Sequence, residues 1–298
     1  MTSSSTPTPQ LKLCRGIATS DLSMVRQALS EGANPSLGPL AEKTYYPLQR
    51  AIERAVERRG EDQDIQIMQC ILEAGVDPRH NSGAYMNARG RGLEIGLIAH
   101  LVACQTEERV DRSMRCLDLL LKHWPTTHAW HEVLLDDGMP ILHWAARYQH
   151  VKPVELLIHH GCNINSRDEV GNTALIWARS GKIARTLLEL GADAHAYNHD
   201  RKSVLWNAVG SGYREVWSDT IQAVLDTEPD LSKEVRFMEL ARRVKKRIQT
   251  WQEHWKPEDL DALKRLQSNL VRHKLQRKVK GAAAEVEPKA LAKPALRM

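Results

Sequence analysis

The chain has 298 residues, enough for one or two domains with a sizeable core, and 42 Lys and Arg against 37 Asp and Glu leave a net charge of +5. Hydrophobic residues make up 42%, too many for a disordered chain, while aromatics are only 5% and β-branched runs are scarce, which excludes an all-β sandwich or barrel. No run of 18 apolar residues could cross a membrane, and the uncharged opening MTSSSTPTPQ does not read as a secretory signal peptide.

Residues 1–9, rich in Ser, Thr and Pro, are expected to be a disordered leader. From there the chain repeats itself. A first unit over residues 13–36 places Val25 and Leu29 ahead of Gly32, Ala33 and Asn34. A second opens with residues 46–52 and closes with residues 68–78, with a polar run, VERRGEDQD (56–64), expected to lengthen the turn between its helices. A third, degenerate unit covers about residues 93–124 and has its own polar insertion at 105–112. The fourth and fifth are the clearest: GMPILHWAARYQHVKPVELLIHHGCNINSRDEV from Gly138, and GNTALIWARSGKIARTLLELGADAHAYNHD from Gly171, 33 residues apart. The fifth is about three residues short between its helices, and a sixth runs from Ser203 to Asp230. Each unit reads as a helix, a short turn, a second helix and a glycine at the C′ position, with a polar tip linking it to the next. Such helices are too short to persist alone, so the units must stack.

Leu142, His143, Ala145, Ala146, Leu156, Leu157 and Gly161, and then Gly171, Thr173, Leu175, Ala178, Leu187, Leu188, Gly191, Ala192 and Asp193, carry a pattern that resembles the ankyrin repeat. The resemblance implies an all-α ankyrin-repeat solenoid over residues 10–231, stacked helix-turn-helix units with hairpin-like tips, that binds a partner protein on its concave surface without catalysis. Carried over residue by residue, it points to Asp136, Asp137, Met139, Glu169, Asn172, His199, Asp200 and Lys202 at the tips, and to Arg147 and Tyr148 after the Ala-Ala step. It also gives His143 a structural role at the turn.

Beyond Leu231 the composition changes. Residues 235–280 hold 14 Lys and Arg against 5 Asp and Glu, a net of +9, whereas residues 1–234 carry a net of −5. Met238, Ala241, Val244, Ile248, Trp251 and Trp255 form one helical stripe. Pro257, Glu258 and Asp259 start a second helix, with Leu260, Leu263, Leu266, Leu270 and Val271 as its stripe. Residues 232–280 therefore read as a basic helical pair that caps the solenoid, and residues 281–298 as a disordered tail. The competing reading makes Arg242, Arg243, Lys245, Lys246, Arg247, Arg272, Lys274, Arg277 and Lys278 a patch for nucleic acid or another acidic surface.

Chemistry finds little support. His123, His128 and His131 lie within nine residues, but their spacing matches no helical metal pair and no HExxH motif, so no zinc or other cofactor is expected. The glycines at 90, 92 and 96 fit no phosphate loop, and no GxSxG elbow occurs. Five scattered cysteines without a CxxC pair read as reduced core thiols of a cytoplasmic protein. His159 and His160 end a helix, where a cation complements the dipole. Trp144 and Trp177 share one repeat position with Trp206 a residue out of register, a core stripe more than an exposed ladder. The leader also resembles those of secreted bacterial effectors, which leaves delivery into a host cell as a further alternative.

Overall fold

The structure, a computed structural model, describes residues 7–37, 47–57, 62–78, 96–103, 109–124, 139–147, 151–178, 180–210, 217–234, 236–251 and 257–286. The chain divides into two compact units, Met1–Ser166 and Arg167–Met298. Both are built from helix pairs; between described residues there is one isolated bridge, Tyr197 with Ser203.

The first unit holds four pairs: α1 (Pro9–Ala18) with α2 (Leu22–Ser30), α3 (Pro47–Val56) with α4 (Asp62–Glu73), α5 (Gly96–Ala103) with α6 (Val110–Lys122), and α7 (Ile141–Arg147) with α8 (Val151–His159). Local chemistry sets the starts. Thr8 Oγ1 accepts from the Leu11 amide with Pro9 at the first helical position, so the order begins inside the segment expected to be a loose leader. Asp21 caps α2 by accepting from the Met24 amide at 3.0 Å. Packing then runs pair to pair, α1 on α3, α2 on α4, α4 on α6, α5 on α7 and α6 on α8. Leu13, Leu48, Ile52, Met68, Ile71, Ile98, Leu101, Leu117, Ala145, Val154 and Leu157 are all sealed from solvent between these layers.

The polar run at 56–64 is less of an insertion than its composition suggests. Helix α4 already begins at Asp62, and Asp64 is only 3% exposed. Its carboxylate accepts from the Ser20 hydroxyl at 2.6 Å and lies 3.7 Å from the Arg54 guanidinium, which itself donates to Ser20 at 2.7 Å. Ser20, at φ +55°, holds this three-way contact at the turn between α1 and α2. A charge that reads as solvated is thus a tie between the first two repeats, satisfied as a buried carboxylate must be.

The second unit contains α9 (Ala174–Trp177) with α10 (Gly181–Glu189), α11 (Val204–Gly210) with α12 (Trp217–Asp226), a short 3-10 turn (Leu231–Lys233), and α13 (Phe237–Trp251) with α14 (Pro257–Val286). The shortness read in the fifth repeat falls on α9, a single turn that gives way to extended backbone at Ala178 (ψ 114°). Gly161 (φ +96°) and Gly191 (φ +97°) close α8 and α10 in the left-handed conformation that their C′ positions require.

The C-terminal pair continues the stacking of this unit, α13 against α11 and α14 against α12. On α13 the expected stripe holds at Val244 and Ile248, but its first turn is rotated by one residue. Met238 is 53% exposed, and Phe237, the only phenylalanine in the chain, is buried instead, in line with Leu240, Val244 and Ile248. On α14 the expected stripe holds for Leu263, Leu266 and Leu270, whereas Val271 is exposed. The helix also runs to Val286, past Gly281 where the composition suggested it would end. Trp255 lies outside the described residues.

Candidate functional site

Two successive tips of the second unit are built on one plan. Asp168 Oδ1 accepts from the amides of Val170 (3.0 Å) and Asn172 (2.7 Å), while its Oδ2 accepts from Asn172 Nδ2 (3.0 Å) and from the indole Nε1 of Trp177 (2.8 Å). Thirty residues on, Asn198 Oδ1 accepts from the Lys202 amide at 2.9 Å, and the Lys202 carbonyl accepts from the Asn198 amide at 3.0 Å. These are Asx-type turns, in which a short polar side chain substitutes for a backbone acceptor. The tips are joined to each other. Asn198 Nδ2 donates to Asn172 Oδ1 at 2.9 Å, the His199 amide donates to the Val170 carbonyl at 3.0 Å, and Arg167 Nη1 donates to the carbonyls of Gly171 and Tyr197.

Gly171 is required twice over, by its φ of +83° and by His199, whose ring and amide lie where a Cβ would stand. At the matching place in the next tip the chain puts Arg201 at φ +59°. We therefore expect opposite signs from two reciprocal changes. Gly171→Ala should cost roughly 2 kcal/mol or more through strain and overlap, and Arg201→Gly should stabilise by about 0.5–1 kcal/mol. Urea unfolding of the two single variants checks this; equal signs would contradict it.

Between the tips and the inner helices α9 and α11 lies a cleft of about 460 Å³, lined among others by Val170, Trp177, Asp200, Lys202, Trp206 and Arg243. Trp206 is buried and forms its floor. The Arg243 guanidinium sits 4.6 Å from the centre of this indole and Arg236 sits 5.2 Å from it, both within cation–π range. Arg236 also meets Glu239 at 3.4 Å, but no described carboxylate pairs with Arg243. Lys202 Nζ donates to Asp200 at 2.8 Å, and this hydrogen bond, followed by the lysine's charge, holds the Asp200 carboxyl below the usual carboxylate range. The rim thus presents a fixed pair of opposite charges beside a half-buried tryptophan and a cation held by an indole.

The residues singled out from the sequence fall in several places. Asp200, Lys202 and Arg243 come together at this cleft, so one member of the expected basic patch belongs to the same surface as the tips. Glu169 and His199 are exposed on the tips, and Arg147 is exposed at the end of α7 in the first unit. Met139 is a correction, buried in the core at 4% exposure, whereas Asn172, 8% exposed, lines the cleft with its side chain spent on Asp168 and Asn198. Asp136, Asp137 and Tyr148 lie outside the described residues. Of the basic residues, Arg242, Lys245, Lys246, Arg272 and Lys274 are exposed and Arg247 is half-buried, its guanidinium pK lowered by burial and then by the nearby charge of Arg243. The side chains of Arg277 and Lys278 lie outside the description. Asp168 was missed because a lone aspartate in a polar tip reads as solvated surface. The signal was its place four residues before Asn172, repeated by Asn198 and Lys202.

His143 is fully buried in α7, consistent with a structural part. His160 bridges repeats, its Nε2 2.9 Å from Asp118 Oδ1 of α6. Burial opposes ionisation of Asp118, yet the hydrogen bonds from Lys122 and His160 outweigh it and draw its pK down. His123 Nδ1 lies 3.0 Å from the Leu119 carbonyl of its own helix, while His128 and His131 are outside the described residues. Cys14, Cys70, Cys116 and Cys162 are free thiols, and burial pushes Cys116 and Cys162 up to about 12.

A family model described as ankyrin repeats, in three copies, matches residues 99–198. Over 168 residues the chain is 26% identical to Ankyrin repeat and SOCS box protein 6 of Homo sapiens, 55% of this chain and 35% of that protein. Over 66 residues it is 42% identical to Protein phosphatase 1 regulatory subunit 27 of Homo sapiens, 21% of this chain and 43% of that protein. The aligned region therefore spans less than half the length of either relative. Among solved structures, the ankyrin repeat domain of Bcl-3 aligns with a TM-score of 0.52 at 20% identity, covering 77% of this chain and 89% of that one. An ankyrin repeat domain from Acinetobacter baumannii aligns with a TM-score of 0.50 at 20% identity, covering 72% and 97%. At such identities the likeness speaks for the fold.

Proposed function

This chain belongs to the ankyrin-repeat family, and on that premise we propose that it is a non-catalytic interaction protein whose partner, another protein, docks in the cleft of the second unit. One observation carries the reading: Trp177, the indole-held Arg243 and the Asp200–Lys202 pair converge on one concave site. Aromatic rings and arginine supply contact area and directional bonding at protein interfaces, and they cost little conformational entropy when already held in place. Trp177 is held by Asp168 and Arg243 by Trp206, so both are arranged before a partner arrives. The relative named as a phosphatase regulatory subunit fits a protein that acts through another.

The test is affinity capture from an extract of the source cells, quantified by mass spectrometry, with the wild-type chain and a variant carrying Val170→Glu, Asp200→Lys and Lys202→Glu. All three side chains reach solvent, and the charge swap keeps an opposite pair, so the fold should persist. A partner enriched by the wild type should fall by about tenfold or more with the variant, the loss of roughly 1.4 kcal/mol of binding. Equal capture by both proteins would reject the cleft as the docking site.

A further inference from the structure

The helix pairs of the second unit cover one another in order: α9 meets α11 and α10 meets α12, then α11 meets α13 and α12 meets α14. No described residue covers the opposite side of the last pair. There α13 and α14 leave a groove of about 250 Å³ with Met238, Ala241, Leu270 and Val271 in its lining. Met238 is 53% exposed and Val271 54%. A single exposed apolar residue is ordinary, whereas two large ones facing a shared groove mark a surface that gains by being covered. Arg242, Lys245 and Lys274 rim the same groove, and no described carboxylate pairs with any of them.

We propose that this groove is a second docking surface, distinct from the concave cleft, that receives an amphipathic helix from a partner protein, its apolar face flanked by Asp and Glu. Two observations fix the occupant. The groove lies between α13 and α14 of the pair that ends the series, so a further helix laid along it would continue the stacking of the unit. Its rim is cationic on both helices, Arg242 and Lys245 on α13 and Lys274 on α14, so carboxylates on either side of an apolar stripe complement it. A nucleic-acid backbone would satisfy the rim but leave the apolar lining without a counterpart. The turned register of α13 creates the site: with Phe237 taking the core position, Met238 is left on the outside next to Arg242.

The full chain is panned against a phage-displayed library of helix-biased peptides of about 15 residues, long enough for four turns. Enriched sequences are then measured by fluorescence anisotropy. The expected winners carry apolar residues at i, i+3, i+4 and i+7 with an excess of Asp and Glu, and bind in the micromolar range or tighter. Met238→Ser with Val271→Ser should weaken them by about tenfold or more, as should Arg242→Glu with Lys245→Glu. Because these side chains are exposed, both variants should melt within about 3 °C of the wild type. The Val170→Glu, Asp200→Lys, Lys202→Glu variant should bind the same peptides unchanged, which separates this groove from the concave cleft. Failure to enrich any sequence, winners without the acidic and apolar pattern, or binding indifferent to Met238→Ser with Val271→Ser would overturn the proposal. So would an oligonucleotide that binds through Arg242 and Lys245 and ignores Met238 and Val271.

Discussion

Changing Leu240 and Leu266 together to alanine is expected to lower the unfolding free energy by roughly 4–10 kcal/mol, since each buried leucine truncated in a packed core costs about 2–5. Both side chains are fully sealed, one on α13 and the other on α14. A loss of this size is comparable with the whole stability of a typical domain. The C-terminal pair would then detach, bare the apolar flanks of α11 and α12, and lead to aggregation, as uncapped repeat arrays do. Urea unfolding followed by circular dichroism, with light scattering at the end point, reads both effects. Met238→Ala with Val271→Ala is the control and should change stability by no more than about 0.5 kcal/mol per site. A double variant at Leu240 and Leu266 with wild-type stability would show that the C-terminal pair is an appendage and not a cap.

Asp168→Ala should cost about 2–4 kcal/mol, although the residue is only partly buried. The change removes one acceptor from four donors, the amides of Val170 and Asn172, the Asn172 side chain and the Trp177 indole. Hydrogen bonds to a charged acceptor contribute about 1.5–3 kcal/mol each, and those near solvent fall at or below the low end. Hydrogen exchange should show the Val170 and Asn172 amides losing protection first, and the cleft should lose its partner along with the orientation of Trp177. Asp168→Asn retains an acceptor for the turn amides while giving up the charge, so it should fall between the wild type and alanine. Equal loss for Asn and Ala would mean that the charge, not the turn geometry, holds the tip.

The repeat architecture was legible in the sequence because the repeat is itself the signal. The glycines ending α8 and α10, the Leu-x-x-Ala step and the paired leucines recur, and helix pairs stand where that repetition puts them. Pro257, with Glu258 and Asp259, marks a helix start by chemistry that acts over three or four residues, so it too is visible locally. The turned face of α13 was not legible. Met238 and Ala241 fit a helical period as well as Phe237 and Leu240 do, and only contact with α11 and α14 chooses between them. The structural roles of Asp64, Asp168 and Asn172 were hidden for a related reason: a polar side chain satisfied by other groups of the chain has the same sequence context as one satisfied by water. Arg243 belonged by composition to a basic patch, and its place over Trp206 depends on a pairing between residues 37 positions apart.

The free thiols of the first unit have a practical consequence. Among the described residues, Cys14 lies in α1, Cys70 in α4, Cys116 in α6 and Cys162 just beyond α8, so every helix pair of that unit carries at least one; Cys104, the fifth, lies outside the described residues, and the second unit has no cysteine in its sequence. Burial closes Cys116 and Cys162 to reagent and pushes their thiols up to about 12, so alkylation must wait for the surrounding repeat to open. The chain thereby carries its own clock at successive places along one array. Pulse labelling at rising denaturant, read peptide by peptide at the buried Cys14, Cys116 and Cys162, would order the opening of three of the four pairs without a single engineered probe, while the silent second unit serves as the internal blank.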